Sequence, residues 1–270
     1  MFPLWVIDLI KKSFKHRFFY ARLSRLPLLR NIMDWMFFDQ DDMVYLPKDN
    51  VVLAINQKIS YTNTVLPSQI VHRFIDEANT HFIMNFCICR DSNQCKDYPI
   101  DLGCLFMGEA AAKIDPRLGR LVTPREAHQH VMRAREAGLV HLIGRNKLDA
   151  VWLDTGPDEK LLTVCNCCPC CCLWKMLPRL GDHISNKITA MPGVEIGVSS
   201  ECTGCGACVE TCFVDAIKLV NGCAIISDVC RGCGRCVEVC PQKAITLKID
   251  PSSIEKTINR INTSIDLKEK

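Results

Sequence analysis

Eight cysteines late in the chain fall into two copies of one spacing. Cys202, Cys205, Cys208 and Cys212 read C-x2-C-x2-C-x3-C; Cys230, Cys233, Cys236 and Cys240 repeat it, with Pro241 following. Three cysteines at intervals of three on a tight loop can turn their sulfurs toward three corners of one iron–sulfur cube. The fourth opens a helix and carries its sulfur to the other half. The spacing thus assigns Cys202, Cys205, Cys208 and Cys240 to one [4Fe–4S] cluster, and Cys230, Cys233, Cys236 and Cys212 to a second. A pair of zinc sites is the competing reading, because C-x2-C pairs also suit zinc. Zinc needs neither the third and fourth cysteines at these offsets nor the same run twice. Gly204, Gly206, Gly232 and Gly234 stand between the ligands. There the backbone must turn sharply and can offer its N–H groups to the cluster.

On these residues the chain resembles the bacterial-type dicluster ferredoxins, over roughly residues 194–250. The resemblance implies a pseudo-twofold βαβ-βαβ fold whose two nearby clusters exchange single electrons. Phe213 departs from the pattern, standing where the first half would carry proline, but it removes no ligand. Local signals agree with that fold. Val194–Val198 leads into the first ligand loop as a strand, and Ala244–Leu247 closes the second half. Asn221-Gly222 between Ile217–Leu219 and Ala224–Ile226 is a hairpin turn. Cys223 lies outside both motifs and reads as a small buried hydrophobe.

Ten further cysteines precede this unit. Cys87, Cys89, Cys95 and Cys104 form a first group, and Cys165, Cys167, Cys168, Cys170, Cys171 and Cys172 a denser second one. An additional iron–sulfur cluster, a structural zinc site, and redox-active or buried thiols are the three readings of this pool. Adjacent cysteines such as Cys167-Cys168 and Cys170-Cys171-Cys172 cannot all aim at one small metal, because neighbouring side chains diverge. A larger cluster could be embraced, as adjacent cysteines do in the cysteine-rich domains of heterodisulfide reductases; only the adjacency is similar. With Cys87-Ile88-Cys89-Arg90, Asp97-Tyr98-Pro99 and Asp101-Leu102-Gly103-Cys104, the chain resembles iron–sulfur proteins of anaerobic bacteria and archaea that have no settled activity. Arg90 is either an ordinary ion-pairing residue or a counter-charge for a cluster or anion.

The elements that must position these thiols are legible in part. Val51–Ile55 reads as a strand, and Pro67-Ser68 opens a helix with Ile70, Val71, Phe74, Ile75 and Ala78 on one face. Phe82–Phe86 reads as a strand that delivers Cys87 and Cys89 to one side of an extended chain. Thr123 and Glu126 form a capping box, with Pro124 at the first helical position and Gly138 at the end. Leu139–Ile143 and Lys160–Val164 then pair as strands around the loop Asp154–Pro157, giving a winged-helix-like outline. That pairing would bring the second cysteine group to the first. His128 and His130, at i and i+2 of the capped helix, face apart and do not make a metal pair, and His141 reads as a surface or core residue.

The whole is therefore an α+β chain. It divides into a basic amphipathic segment (1–44), a cysteine-rich α+β domain (45–190), a dicluster unit (191–250) and a C-terminal amphipathic helix (251–270). In that last helix Ser252 and Glu255 suggest a second capping box, and Ile254, Ile258, Ile261 and Ile265 form a narrow apolar stripe. Residues 1–38 mix aromatic and aliphatic residues with Lys11, Lys12, Lys15, Arg17, Arg22, Arg25 and Arg30. Such a helix packs on its own domain or a partner, or lies in a membrane interface.

The apolar stretch Phe2–Ile10 precedes the lysines, the reverse of a secretory signal, and ligand thiolates need a reducing compartment. The expectation is a cytoplasmic, low-oxygen setting, with contact at the inner membrane face as the variant. No apolar run reaches the eighteen or so residues of a span. A net charge of +3 gives no reason for a nucleic-acid partner. No phosphate loop or dinucleotide fingerprint exists, so no nucleotide cofactor is implied.

The leading reading is an electron-transfer protein or oxidoreductase subunit. Its two [4Fe–4S] clusters communicate with a further metal centre and with a redox partner docked at the N-terminal segment or the C-terminal helix. The alternative is a redox enzyme subunit whose front cluster reduces a substrate such as a disulfide. A redox-sensing regulator is third. Against it, the capped helix carries only Arg125, Arg133 and Arg135 beside Glu126 and Glu136, too little positive charge to read DNA.

Overall fold

The computed structural model describes residues 3–54 and 66–267. In chain order the first strands are β1 (Asp42–Tyr45), β2 (Val52–Ala54), β3 (His81–Met84), β4 (Leu105–Met107), β5 (Gly119–Leu121) and β6 (Val140–Arg145). They are followed by β7 (Leu162–Cys167), β8 (Ile188–Ala190), β9 (Val194–Val198), β10 (Ile217–Val220), β11 (Cys223–Ile226) and β12 (Ile245–Ile249). Seven of them form one sheet in the order β5-β3-β4-β7-β6-β1-β8. All its neighbours are antiparallel except β1 and β8, which run parallel. The expected Ile55 end of β2 lies outside the described residues.

Side chains alternate across this sheet, and each face has its own helical cover. Val44, Ile83, Leu105, Met107, Ile143 and Val164 face one way. On that side lie α4 (Ser68–Glu77), α6 (Pro124–Glu136) and the C-terminal helix Ser253–Ser264. Ile254, Ile258, Ile261 and Ile265 are at most 6% exposed, so the isoleucine stripe packs back on its own chain. Each such side chain contributes about 2 kcal/mol of apolar burial. The expected box at Ser252 does not form; its hydroxyl donates instead to Asp250 at 2.9 Å. The box at Thr123 does form, with the Glu126 N–H donating to Thr123 Oγ1 at 3.3 Å and the Thr123 N–H to Glu126 at 2.9 Å.

Met43, Tyr45, Phe82, Met84, Phe106 and Leu142 face the other way. Here lie α1 (Leu4–Ser13), α2 (Arg17–Leu23) and α3 (Pro27–Phe37); Ile7 of α1, Ala21 of α2 and Phe14 in the turn between them are buried toward the body. Their outer side keeps Trp5, Phe19, Leu28 and Trp35 between 59% and 87% exposed. No helix among the described residues is long and apolar enough to cross a membrane.

Two differences from the sequence reading concern the segments around the cysteines. The strands expected after the capped helix do pair, Ile143 opposite Val164, but they stand inside the seven-stranded sheet rather than forming a wing. Between them lies α7 (Lys147–Leu153), whose N-terminus is capped by Asn146 Oδ1 accepting from the Leu148 N–H at 3.1 Å. The chain also leaves β3 at Met84, and Cys89 falls in a short helix, α5 (Ile88–Ser92), with Cys87 at its N-cap. The extended C-x-C of the sequence reading is therefore a turn, because the Cys87 N–H bonds to Ile100 O at 2.7 Å instead of continuing a ladder.

After α8 (Asp182–Ser185) and β8 comes the C-terminal unit. Strand β9 pairs antiparallel with β12, and β10 pairs with β11 across Asn221 and Gly222, both at positive φ. Helices α9 (Ala207–Thr211) and α10 (Arg235–Glu238) follow the ligand loops and pack on each other. β2 adds to this small sheet, parallel to β12, so the front of the chain contributes a strand to the rear unit. With the C-terminal helix as α11, the chain is α+β throughout.

Candidate metal centres

The first rear quartet surrounds one hollow. Cys202, Cys205, Cys208 and Cys240 all line this one small space. Cys240 comes from the second motif, so the structure brings together the crossed set read from the spacing. Cys212 leaves its own motif and faces Cys230, Cys233 and Cys236: the charges of Cys230 and Cys212 act on Cys236, and those of Cys233 and Cys212 on Cys230. Gly206 and Gly234 sit at φ +84° and +82° and cap α9 and α10, conformations that a β-carbon would strain.

The donor set fits sulfur-ligated iron. Backbone N–H groups donate to thiol sulfur from Ala224 to Cys202 at 3.4 Å, from Ala216 to Cys212 at 3.3 Å and from Gly232 to Cys230 at 3.4 Å. Such bonds are the ones that stabilise thiolate ligands and tune a cluster's potential. Burial pushes the Cys230 thiol up to about 11 and the Cys236 thiol up to about 12. These groups hold their protons until a metal displaces them. Cys223 is half-buried rather than buried, and lies beside Cys202 with its own S–H toward Ala224 O at 3.8 Å.

Residues 201–244 match the family model of the 4Fe-4S dicluster domain. They form a ferredoxin-type iron–sulfur domain. No curated protein and no solved structure matches the chain. The dicluster domain makes this an iron–sulfur, metal-binding protein with an electron-transfer role.

The front cysteines meet at one edge of the large sheet. There β3 ends, β4 begins and β7 ends. The β4–β7 register sets Leu105 opposite Val164, which places Cys104 beside Cys165, their sulfurs 3.8 Å apart. The ten thiols then part into two sets. Cys95, Cys168, Cys170 and Cys171 have all their sulfurs within 4.8 Å of one another, with Cys95 and Cys170 at 3.5 Å. Among the described residues no other group of three or more Cys, His, Asp or Glu ligand atoms is so compact, the two rear quartets included. The adjacent pair Cys170-Cys171 thus does converge, because the turn after Cys168 brings the Cys171 N–H to the Cys168 sulfur at 3.3 Å. Cys172 leaves Cys170 and Cys171 for the adjoining cavity, while Cys168 joins the quartet and also lines that cavity beside Cys167.

The remaining six, Cys87, Cys89, Cys104, Cys165, Cys167 and Cys172, line a mostly apolar cavity of about 710 Å³ between the sheet edge and α1–α3. Tyr45 Oη donates to Cys167 at 3.9 Å and the Leu173 N–H to Cys89 at 3.3 Å. A hydrogen bond from Cys89 draws the Cys87 thiol down to about 7 despite burial. Contacts with Cys165 and Cys172 hold Cys167 well below the ordinary thiol range.

Arg90 is wholly buried and forms no ion pair among the described residues; its NH1 donates to Asn166 O at 2.7 Å and its NH2 to Leu102 O. The ion-pairing role open in the sequence is thereby set aside. His128 bonds to His72 at 2.7 Å and to Asp76 at 2.9 Å, away from the thiols. His130 and His141 are buried core residues. Sequence reasoning missed Asn166, which accepts from or donates to His141, Gly103 O and His130 at 2.8, 2.7 and 3.3 Å. Lying between Cys165 and Cys167 was its only signal.

Proposed function

We propose that the chain is an electron-transfer protein in which two [4Fe–4S] clusters of the dicluster domain communicate with a further metal centre held by the front cysteines. When bound, those clusters supply reversible one-electron exchange. The observation that carries the reading is a shared core. Cys212, Cys230 and Cys233 of the dicluster domain pack in the same apolar cluster as Cys165, Cys167 and Cys172 of the front domain. Phe213, where the ferredoxin pattern has proline, lies in that core with its ring 5.1 Å from Tyr45. Arg235, in α10, is buried and donates to Cys167 O and to Gly138 O, and the Lys48 N–H donates to Cys233 O at 3.2 Å. The two thiol regions are therefore joined by one apolar core and by hydrogen bonds between the two domains.

The compact quartet Cys95, Cys168, Cys170 and Cys171 suits one tetrahedral metal ion. Metal–sulfur bonds of about 2.3 Å place the four sulfurs about 3.8 Å apart. Zinc or a single iron fits this spacing better than a cube. The exposed aromatic and basic outer face of α1–α3 is the docking surface for the redox partner; retention of the chain on anionic vesicles would identify a membrane surface instead. Anaerobic reduction followed by EPR tests the reading. Signals from the dicluster cysteines that respond to loss of front-domain metal support it, and a dicluster domain indifferent to the front cysteines refutes it.

A further inference from the structure

We infer that the six thiols of the apolar cavity hold a polynuclear iron–sulfur cluster, separate from both the quartet and the dicluster domain. The inference rests on the electron-transfer reading and names the terminus of its internal path. Number and spread of donors come first. Six sulfurs exceed what one tetrahedral ion takes, and they do not converge within the 4.8 Å that unites the quartet. They run instead as a chain of neighbours along the sheet edge, with Cys104 and Cys165 in contact at 3.8 Å. A run of thiols this long suits several metal ions joined by sulfide.

Charge is the second argument. Arg17 and Arg90 line the same cavity and are 8% and 0% exposed. Each has a buried Nε with no hydrogen-bond partner. Arg17 stacks on the rings of Phe14 and Phe18 at 4.5 and 4.3 Å and donates to Phe14 O at 3.1 Å, but meets no carboxylate among the described residues. Asp149, the one carboxylate on the cavity wall, is already engaged by Asn146, Trp152 and Thr163 at 2.9, 2.9 and 3.1 Å. Two buried cations without a carboxylate partner are costly, and the groups left to offset them are sulfurs: Arg90 faces Cys87, Cys104 and Cys168, and Arg17 faces Cys89 and Cys172. Thiolates gathered on a cluster supply that charge. The wall facing these thiols from α1–α3 is mostly apolar.

The test uses the full chain purified without oxygen, with iron, acid-labile sulfide and zinc counted per chain. Cys104→Ser/Cys165→Ser is compared with Cys95→Ser/Cys170→Ser, two quartet thiols that do not line the cavity. The cavity variant is expected to lose about two to four irons and as many sulfides. It should keep the metal of the quartet and the reduced-state EPR signal of the dicluster domain, which reports folding. The quartet variant should lose its own metal and keep those irons. An unchanged iron and sulfide count in the cavity variant overturns the inference. Arg90→Met provides a second readout should the double variant fold poorly. It is expected to lower cluster occupancy at least about threefold, with Arg90→Lys restoring part of it, and full occupancy in both overturns the inference. Failure of the electron-transfer reading itself would show separately, as a missing dicluster signal in the unmodified chain.

Discussion

Phe213→Ala is the perturbation that asks most directly whether the front domain and the dicluster domain share one core. Phe213 is 6% exposed and packs between Tyr45 and the thiols Cys212 and Cys230. Truncating a buried phenylalanine costs about 3–5 kcal/mol. About 1 kcal/mol of that belongs to the ring pair with Tyr45. Loss of the clusters makes unfolding irreversible, so the readout is the unfolding rate. With half of the cost felt before the transition state, unfolding accelerates roughly ten- to seventyfold. Two probes are followed after a denaturant jump: bleaching of the iron–sulfur absorbance and the fluorescence of Trp174, which is 1% exposed in the same core. Both should accelerate together. Phe213→Leu, which retains most of the buried area, should accelerate them by less. An effect under about threefold, or one confined to a single probe, refutes the shared core.

Three further predictions follow from the geometry. Cys212→Ser should disturb the centre built on Cys230, Cys233 and Cys236, and Cys240→Ser the centre at Cys202, Cys205 and Cys208; EPR of the reduced variants would show the opposite assignment if the motifs were not crossed. Burial and the neighbouring His128 hold His72 below the ordinary histidine range, so the unfolded chain takes up that proton first. Stability is then full above about pH 6.5 and falls as the pH drops toward the folded-state value. The rate of unfolding in urea should rise from pH 7.5 to pH 6, and His72→Gln should reduce that rise, with His81, His130 and His141, also held below the ordinary histidine range by burial, supplying the rest. Thr123→Ala removes the formed capping box and should cost about 1 kcal/mol, read as faster amide exchange in the first turn of α6.

The rear of the chain was legible because its information is local. Cysteine offsets indicate which sulfurs share a centre, Asn221-Gly222 fixes the hairpin, and β9 and β12 pair within the unit, with only β2 added from outside it. The capped helix and the isoleucine stripe were legible for the same reason. The front cysteines were not, because what sorts them is tertiary. Only the register of β4 against β7 shows that Cys104 meets Cys165, and only the turn after Cys168 sends Cys170 and Cys171 away from Cys172. Helix α7 hid behind a single capping residue, Asn146. Arg90 could be read as an ordinary ion-pairing residue or as a counter-charge because nothing in the sequence reveals its burial. Phe213, a departure with no visible purpose in the sequence, turned out to pack against Tyr45 of the front domain.

The most direct test of the account is a count of metal and sulfide in the full chain purified without oxygen. Two four-iron clusters in the dicluster domain supply about eight irons and eight sulfides. The account predicts more than that of both, with a further metal lost on replacing Cys95, Cys168, Cys170 or Cys171. Eight irons, eight sulfides and no further metal per chain would contradict it.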